Sequence, residues 1–186
     1  MEEKSPEISD EEIVRRVRKG KETELYSILY KRYYQKVLDK CYSLTHSREL
    51  AEELAGDILS KTYERLDSYK GNSSFSSWLY SVTYNHCIDW LREKKKLHYP
   101  EWNSSNDLPE IIDETYDEEQ DISYDRLMSL LDHLHTEEKA LIMMRYFDEM
   151  PLNQIAEALR VTESAAKMRL KRAKTRLLFL YNRENS

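Results

Sequence analysis

Residues 151–176, PLNQIAEALRVTESAAKMRLKRAKTR, decide how this chain is read. Leu152, Ile155, Ala156 and Leu159 recur at i, i+3, i+4 and i+7, which predicts a helix with one apolar face. Arg160-Val161 makes a turn. Thr162 then stands where an N-cap oxygen would satisfy the first unpaired amides of a second helix, and Glu163 suits the positive end of that helix's dipole. In the second helix Ala166, Leu170, Ala173 and Leu177 cluster on an inward face. The opposite side presents Ser164, Met168, Lys171, Arg172 and Thr175, flanked by Lys167, Arg169, Lys174 and Arg176. A short helix set against a longer basic one predicts a helix-turn-helix, whose second helix enters a DNA major groove. The plainer alternative is a helical hairpin with a solvated basic face.

Working outward, the charge is strongly segregated. The net charge of −6 would argue against a nucleic-acid partner if it were spread evenly. Between Glu101 and Asp121, however, there are nine carboxylates and no Lys or Arg, whereas Pro151–Ser186 holds eight Lys or Arg against three Glu, a net of +5. A basic module therefore follows an acidic segment. From Tyr99 to Ser123 helical periodicity disappears, and Pro100, Pro109, Asn103, Ser104 and Ser105 accompany the carboxylates; this predicts an extended, self-repelling linker.

Three Gly and four Pro among 186 residues, with no sustained alternation of β-branched residues, exclude a sheet-rich fold with many turns. The expected architecture is all-α: two small helical domains joined by the acidic flexible linker, the second ending in the helix-turn-helix. The expected spans are a disordered tail at 1–8, a first domain at 9–98, the linker at 99–123 and a second domain at 124–182.

Ser9 or Asp10 is expected to cap a short helix carrying Ile13, Val14 and Val17 that Gly20 ends. A longer helix follows from about 22 to 44 with Leu25, Ile28, Leu29, Tyr33, Val37 and Cys41 on its apolar side. Ser47 caps a third, about 48–66, bearing the acidic row Glu49, Glu52, Glu53 and Asp57. Lys61 after Asp57 is the main cation there at i+4, so the row gains little internal pairing and could face a basic partner.

Asp67–Ser74 reads as a loop, and a fourth helix over about 75–96 turns Phe75, Leu79, Val82, His86 and Trp90 inward. Tyr69, Phe75, Trp78, Tyr80 and Tyr84 beside amides and terminal cations form a pattern suited to stacking unpaired bases, or else to half-buried core. In the second half Tyr124, Leu127, Met128, Leu131 and Leu134 share a face, and Thr136 is expected to cap a helix to Phe147.

Nothing in the sequence suggests catalysis. The five His lack a metal spacing such as H-E-x-x-H, and no Gly-rich phosphate loop is present, so no metal, cofactor or enzymatic activity is expected. Cys41 and Cys87 read as reduced core thiols. No apolar run reaches the roughly 18 residues of a membrane span, and no basic start leads into an apolar leader, so a cytoplasmic protein without membrane insertion is expected.

With both halves laid out, the chain resembles an extracytoplasmic-function (ECF) sigma factor of the sigma-70 family of bacterial RNA polymerase. Residues 51–96, AEELAGDILSKTYERLDSYKGNSSFSSWLYSVTYNHCIDWLREKKK, are similar to the family's region 2; residues 134–178, LHTEEKALIMMRYFDEMPLNQIAEALRVTESAAKMRLKRAKTRLL, are similar to region 4. The resemblance implies promoter recognition and strand opening at transcription initiation, with core RNA polymerase and promoter DNA as partners. An anti-sigma factor is a further candidate partner, because many family members are held inactive by one.

The resemblance also implies site residues. Glu53 and Asp57 match acidic positions that bind the polymerase clamp helices, although Gly56 stands where the family usually has Gln. Lys70, Asn72 and Ser73 fall in the loop that captures a base flipped from the minus-ten element, and Asn85, with Asp89 and Arg92 nearby, lies on the helix facing that element. Lys167, Met168, Lys171 and Arg172 match the positions that read the minus-thirty-five duplex. Arg160 replaces the Gly common at the turn, so either a strained left-handed residue or another turn geometry is expected.

Two other functions fit parts of the sequence. One is a stand-alone helix-turn-helix DNA-binding transcriptional regulator, with the first half as sensor or dimerisation domain. The other is a protein-interaction module that uses the acidic third helix and the basic tail.

Overall fold

Helix after helix follows the expected order in the computed structural model, which describes residues 8–20, 22–96, 98 and 123–184. The expected N-terminal tail and acidic linker lie outside the described residues, apart from Ile8 and Ser123 at their edges. Among the described residues there are α-helices, short 3-10 and π turns, and no strand. The chain divides into two compact units, Met1–Cys87 and Ile88–Ser186.

The first unit opens with α1 (Asp10–Arg18), capped by Ser9 Oγ, which accepts from the Glu12 amide at 3.2 Å. Its acidic first turn and basic last turn both suit the helix dipole. Ile13, Val14 and Val17 are buried, and Gly20 follows the helix at φ 67°, a left-handed conformation. A 3-10 turn (Thr23–Leu25) leads into α2 (Tyr26–Thr45). His46, at φ 53°, ends α2, and Ser47 Oγ caps α3 (Arg48–Glu64) by accepting from the Leu50 amide at 3.3 Å.

These two helices form a hairpin around Leu29, Tyr33, Val37, Cys41, Leu54, Ile58 and Leu59, all nearly inaccessible to water. The Tyr26 hydroxyl donates to the Leu59 carbonyl at 2.6 Å across it, and burial raises the phenol's pKa.

Helix α4 (Phe75–Lys94) follows Ser74, whose Oγ accepts from the Ser77 amide at 3.2 Å. Its inward face differs from the sequence expectation. Phe75 and Leu79 are buried, but the ladder then runs through Thr83, Tyr84, Cys87, Ile88 and Leu91, while Val82, His86 and Trp90 are half-buried. Both ladders satisfy a 3.6-residue period, and a helix apolar on more than one side leaves its phase to be set by packing. Cys41 and Cys87 are free and buried, with sulfurs 3.5 Å apart.

In the second unit, α5 (Tyr124–Asp132) buries Leu130 and Leu131, whereas Tyr124, expected inside, is 65% exposed. Helix α6 (Thr136–Ile142) is capped by His135 rather than Thr136: its Nδ1 accepts from the Glu137 amide at 3.3 Å. Burial lowers the pKa of that imidazole, which favours the neutral form able to accept. The helix then widens into a π turn, Met143–Phe147, where the Asp148 amide donates back to Met143 O at 3.0 Å. Helices α7 (Leu152–Leu159) and α8 (Glu163–Glu184) complete the unit. Leu131, Leu134, Ile142 and Ala173 form a buried cluster, with Leu127, Met128, Leu170, Leu177 and Leu180 packed against it.

Candidate nucleic-acid interface

The α7–α8 corner folds as its sequence predicts. Thr162 Oγ1 accepts from the Ala165 amide at 3.1 Å and so caps α8. Ala166 and Ala173, with no exposed surface, let α8 approach its neighbours closely. Arg160 takes the left-handed alternative, at φ 55° and ψ 45°. The Arg160 amide donates to Glu157 O and the Val161 amide to Ala156 O, the paired bonds of a Schellman motif. The motif satisfies two of the last carbonyls of α7 and offsets a strain of about 1–2 kcal/mol at a non-Gly residue.

This geometry fixes what α8 shows to solvent. Lys167, Met168 and Lys171 are exposed, and Arg172 is half-buried. Lys167 and Lys171 stand at i and i+4 with Met168 between them on the same side. Two ammonium heads are chemically suited to phosphate or guanine edges, and the thioether, 47% exposed, to an apolar group such as a thymine methyl.

The first unit carries a different surface. The 67–74 loop is held from within and from a distance. Tyr69 is buried against Phe75 and Trp78, and its hydroxyl donates to Ser73 O at 2.6 Å. Gly71 sits at φ 75°, and a Cβ there would meet nothing within 4 Å, so the backbone angle rather than space demands glycine. Lys70 and Asn72 are exposed at the loop surface and Ser73 is half-buried.

Further along α4, Asn85 is half-buried. From Ile88 on, α4 belongs to the second unit, where Asp89 Oδ2 lies 2.8 Å from Arg160 Nη2 and Asp89 Oδ1 lies 3.8 Å from Arg92 Nη1. Arg92 itself donates to Glu137 Oε1 at 2.8 Å. Of the aromatics considered for stacking, Tyr69, Phe75 and Tyr84 are core residues, which leaves Trp78 and Tyr80, both half-buried, as ring surface reachable from solvent.

On α3, Glu49, Glu53 and Asp57 are spaced by four and all exposed. Lys61 Nζ lies 2.6 Å from Asp57 Oδ2, and His86 Nε2 lies 3.1 Å from the same oxygen. Gly56 interrupts nothing sterically, because a Cβ there would meet no atom within 4 Å.

Two features escaped the sequence reading. Glu137 and Glu138, which carry no distinguishing sequence pattern, are fully buried. Glu137 is paired with Arg92 and with Arg169 at 3.2 Å. Neither oxygen of Glu138 has a hydrogen bond; Arg176 approaches only to 3.5 Å, and burial raises the carboxyl pKa. The second feature is an exposed aromatic group: Tyr146, Phe147 and Tyr124 lie at the surface, with Tyr124 edge-on to Phe147 at 6.5 Å. Tyr146 and Phe147 belong to the π turn, for which sequence periodicity carries no signal.

Comparison with known proteins places both surfaces in matched regions. Residues 29–97 match the family described as Sigma-70 region 2, and residues 124–177 match Sigma-70, region 4. RNA polymerase sigma factor YlaC of Bacillus subtilis (strain 168) is 30% identical over 154 residues, covering 80% of this chain and 87% of that one. The ECF RNA polymerase sigma factor SigW of the same organism is 26% identical over 177 residues, covering 88% and 92%. Among solved structures, the sigma factor RpoE bound to the anti-sigma factor NepR of Bartonella quintana has a TM-score of 0.58 at 18% identity, covering 84% of this chain and 96% of that one. CnrH in complex with the cytosolic domain of CnrY has a TM-score of 0.59 at 17% identity, covering 91% and 95%. These two show a shared fold.

Proposed function

As the chain belongs to the extracytoplasmic-function group of the sigma-70 family and is an RNA polymerase sigma factor, we propose how its residues divide the work of promoter recognition and opening. Glu53 and Asp57 hold the clamp helices of core polymerase. Lys70, Asn72 and Ser73 capture a base extruded from the minus-ten element, and Asn85, Asp89 and Arg92 face the same element along α4. Lys167, Met168, Lys171 and Arg172 read the minus-thirty-five duplex. Extracting a base costs a few kcal/mol of stacking and pairing. Trapping it with binding energy would drive strand opening, with no catalytic residue and no cofactor in this chain.

The domains acting in this way are residues 9–98 and 124–182, joined by the acidic segment 99–123, and the site of action is the cytoplasm. No helix among the described residues is long and apolar enough to cross a membrane. An anti-sigma factor is the remaining proposed partner, to be sought by co-purification.

The observation that carries this assignment is the exposed row Lys167, Met168 and Lys171 on a helix packed through Ala166 and Ala173. Run-off transcription of genomic DNA with reconstituted holoenzyme tests the whole. The Lys167→Ala, Lys171→Ala pair is expected to weaken transcription from promoters with an upstream element roughly 10- to 100-fold, a loss of about 1–3 kcal/mol, while core polymerase still binds. Loss of core binding instead would show that this face contacts protein, not DNA.

A further inference from the structure

Helix α1 precedes the residues that match region 2, and neither the match nor the role assignments above give it a function. Its placement argues for one. Glu11 Oε1 accepts from the Phe75 amide at 3.2 Å, holding the start of α4. Arg18 donates to Asp67 Oδ1 at 3.3 Å and to the Tyr69 carbonyl at 3.2 Å, holding the near end of the loop. One helix thus braces both ends of the 67–74 loop, and a cleft of about 650 Å³ remains between them. That volume lies within the range of roughly 300–1,000 Å³ usual for sites that take small organic ligands.

The chemistry of the cleft is divided. Val14 and Tyr69, 2% and 5% exposed, give it an apolar floor. Lys19 from the end of α1 and Lys70 from the loop are exposed cations lining it, and its two carboxylates, Glu11 and Asp67, are bound to the Phe75 amide and to Arg18. Among the described residues neither cation is ion-paired or hydrogen-bonded through its ammonium group. Arg15, one turn before Lys19 on the same helix, is already committed to Glu12 through two bonds of 2.6 and 2.7 Å. An apolar floor with two uncommitted cations suits a group that is flat and apolar at one end and anionic at the other. A nucleotide of single-stranded DNA is such a group.

We propose that α1 forms the second wall of the base-capture cleft, and that Lys19 holds a backbone phosphate of the extruded nucleotide. The proposal rests on the reading of the 67–74 loop as the base-capturing element. It adds a contact outside the matched region and makes α1 a determinant of how tightly the displaced strand is held.

The test uses holoenzyme assembled from core polymerase and the full chain. The probe is a fluorescent single-stranded oligonucleotide carrying the non-template minus-ten segment of a promoter recovered by run-off transcription. Lys19→Ala is expected to weaken binding roughly fivefold and to make the slope of log K against log salt shallower by about 0.7, the value for one phosphate contact on a single strand. Binding to the duplex upstream element and to core polymerase is expected to stay unchanged. A neutral methylphosphonate at the contacted position of the oligonucleotide should reproduce the loss, and combining it with Lys19→Ala should add nothing further.

Lys70→Ala separates the two levels of the argument. If Lys70→Ala weakens strand binding and Lys19→Ala does not, the role of α1 is overturned and the loop reading stands. If neither variant changes it, both fall. A loss with Lys19→Ala at an unchanged salt slope also overturns the phosphate contact. An unchanged melting curve for Lys19→Ala excludes misfolding as the source of any loss, and Lys19→Arg should restore binding.

Discussion

The two surfaces proposed to touch DNA are built on opposite principles. The α8 face is local: a cap at Thr162, alanines at 166 and 173, and side chains repeating every three or four residues. The 67–74 loop is non-local, held by Glu11 and Arg18 from residues more than 45 positions earlier in the chain. A regular helix can present a fixed row to a regular duplex. A strand leaving the duplex has no such regularity, and a braced loop beside a cleft suits it better.

This contrast can be broken or sharpened experimentally. The largest effect is expected from Ala173→Arg, which forces a cation into the fully buried cluster of the second unit. It should destabilise that unit by about 3 kcal/mol or more and abolish duplex binding, as read by thermal melting and by anisotropy. A small effect would mean that α8 is not held through its alanine face.

Arg18→Ala comes next. Losing its bonds to Asp67 and Tyr69 should cost about 1–2 kcal/mol of local stability. Hydrogen exchange should then accelerate in 67–74 while the amides of α8 keep their protection. An unaltered loop would show that it is self-supporting, and the contrast between local and braced surfaces would collapse.

A pH experiment probes the second unit alone. Burial raises the pKa of Glu138, so its protonated form favours the folded state. The stability it allows is fully present below the ordinary carboxylate value of about 4.3 and declines as pH rises through the raised value. Glu138→Gln should flatten that decline and gain about 1 kcal/mol at pH 8, with little difference near pH 4, in melting curves recorded across the range. A variant less stable than the parent at pH 8 would mean that the Arg176 ion pair outweighs the burial cost.

The smallest effects compare two left-handed residues. Gly71→Ala should lose about 1 kcal/mol, because φ 75° suits glycine whatever the space around it. Arg160→Gly should gain less than about 1 kcal/mol, since relief of strain is offset by the extra freedom of glycine in the unfolded chain and by loss of the exposed ion pair with Asp89. Equal and opposite shifts would tie the two turns to backbone angle alone.

The same contrast explains how much was legible in the sequence. Local rules wrote α7, α8, the caps at Ser47 and Thr162, the cap of α1 as Ser9 or Asp10, and the outward row on α8, and these were readable from spacing. The phase of α4 was not, because Val82, His86 and Trp90 compete with Thr83, Cys87 and Leu91 for one period and only packing chooses between them. The brace from α1 was also invisible: Glu11 and Arg18 look like any charged residues of an amphipathic helix until the chain returns to them. Glu137 and Glu138 were missed for a related reason. Carboxylates at a helix start read as a favourable solvated turn, and nothing local announces that Arg92, Arg169 and Arg176 will come to meet them. The assignment of Glu53, Asp57, Lys70, Asn72, Ser73 and Asn85 came from family resemblance, and spacing by itself supplied only the acidic row and the loop.

The π turn at Met143–Phe147 gives chain length a meaning of its own. Five residues there occupy a wider turn than an α-helix would use, as though one residue had been spliced into α6 without breaking it. Deleting a single residue from that turn would restore the ordinary winding and swing the exit of the chain by about 100° around the helix axis. Met150, now with no exposed surface and its amide bonded to Met144 O at 2.9 Å, would be carried out of its seat. The corner made by α7 and α8 is therefore indexed by counting: its heading depends on the number of residues before it as much as on their identity.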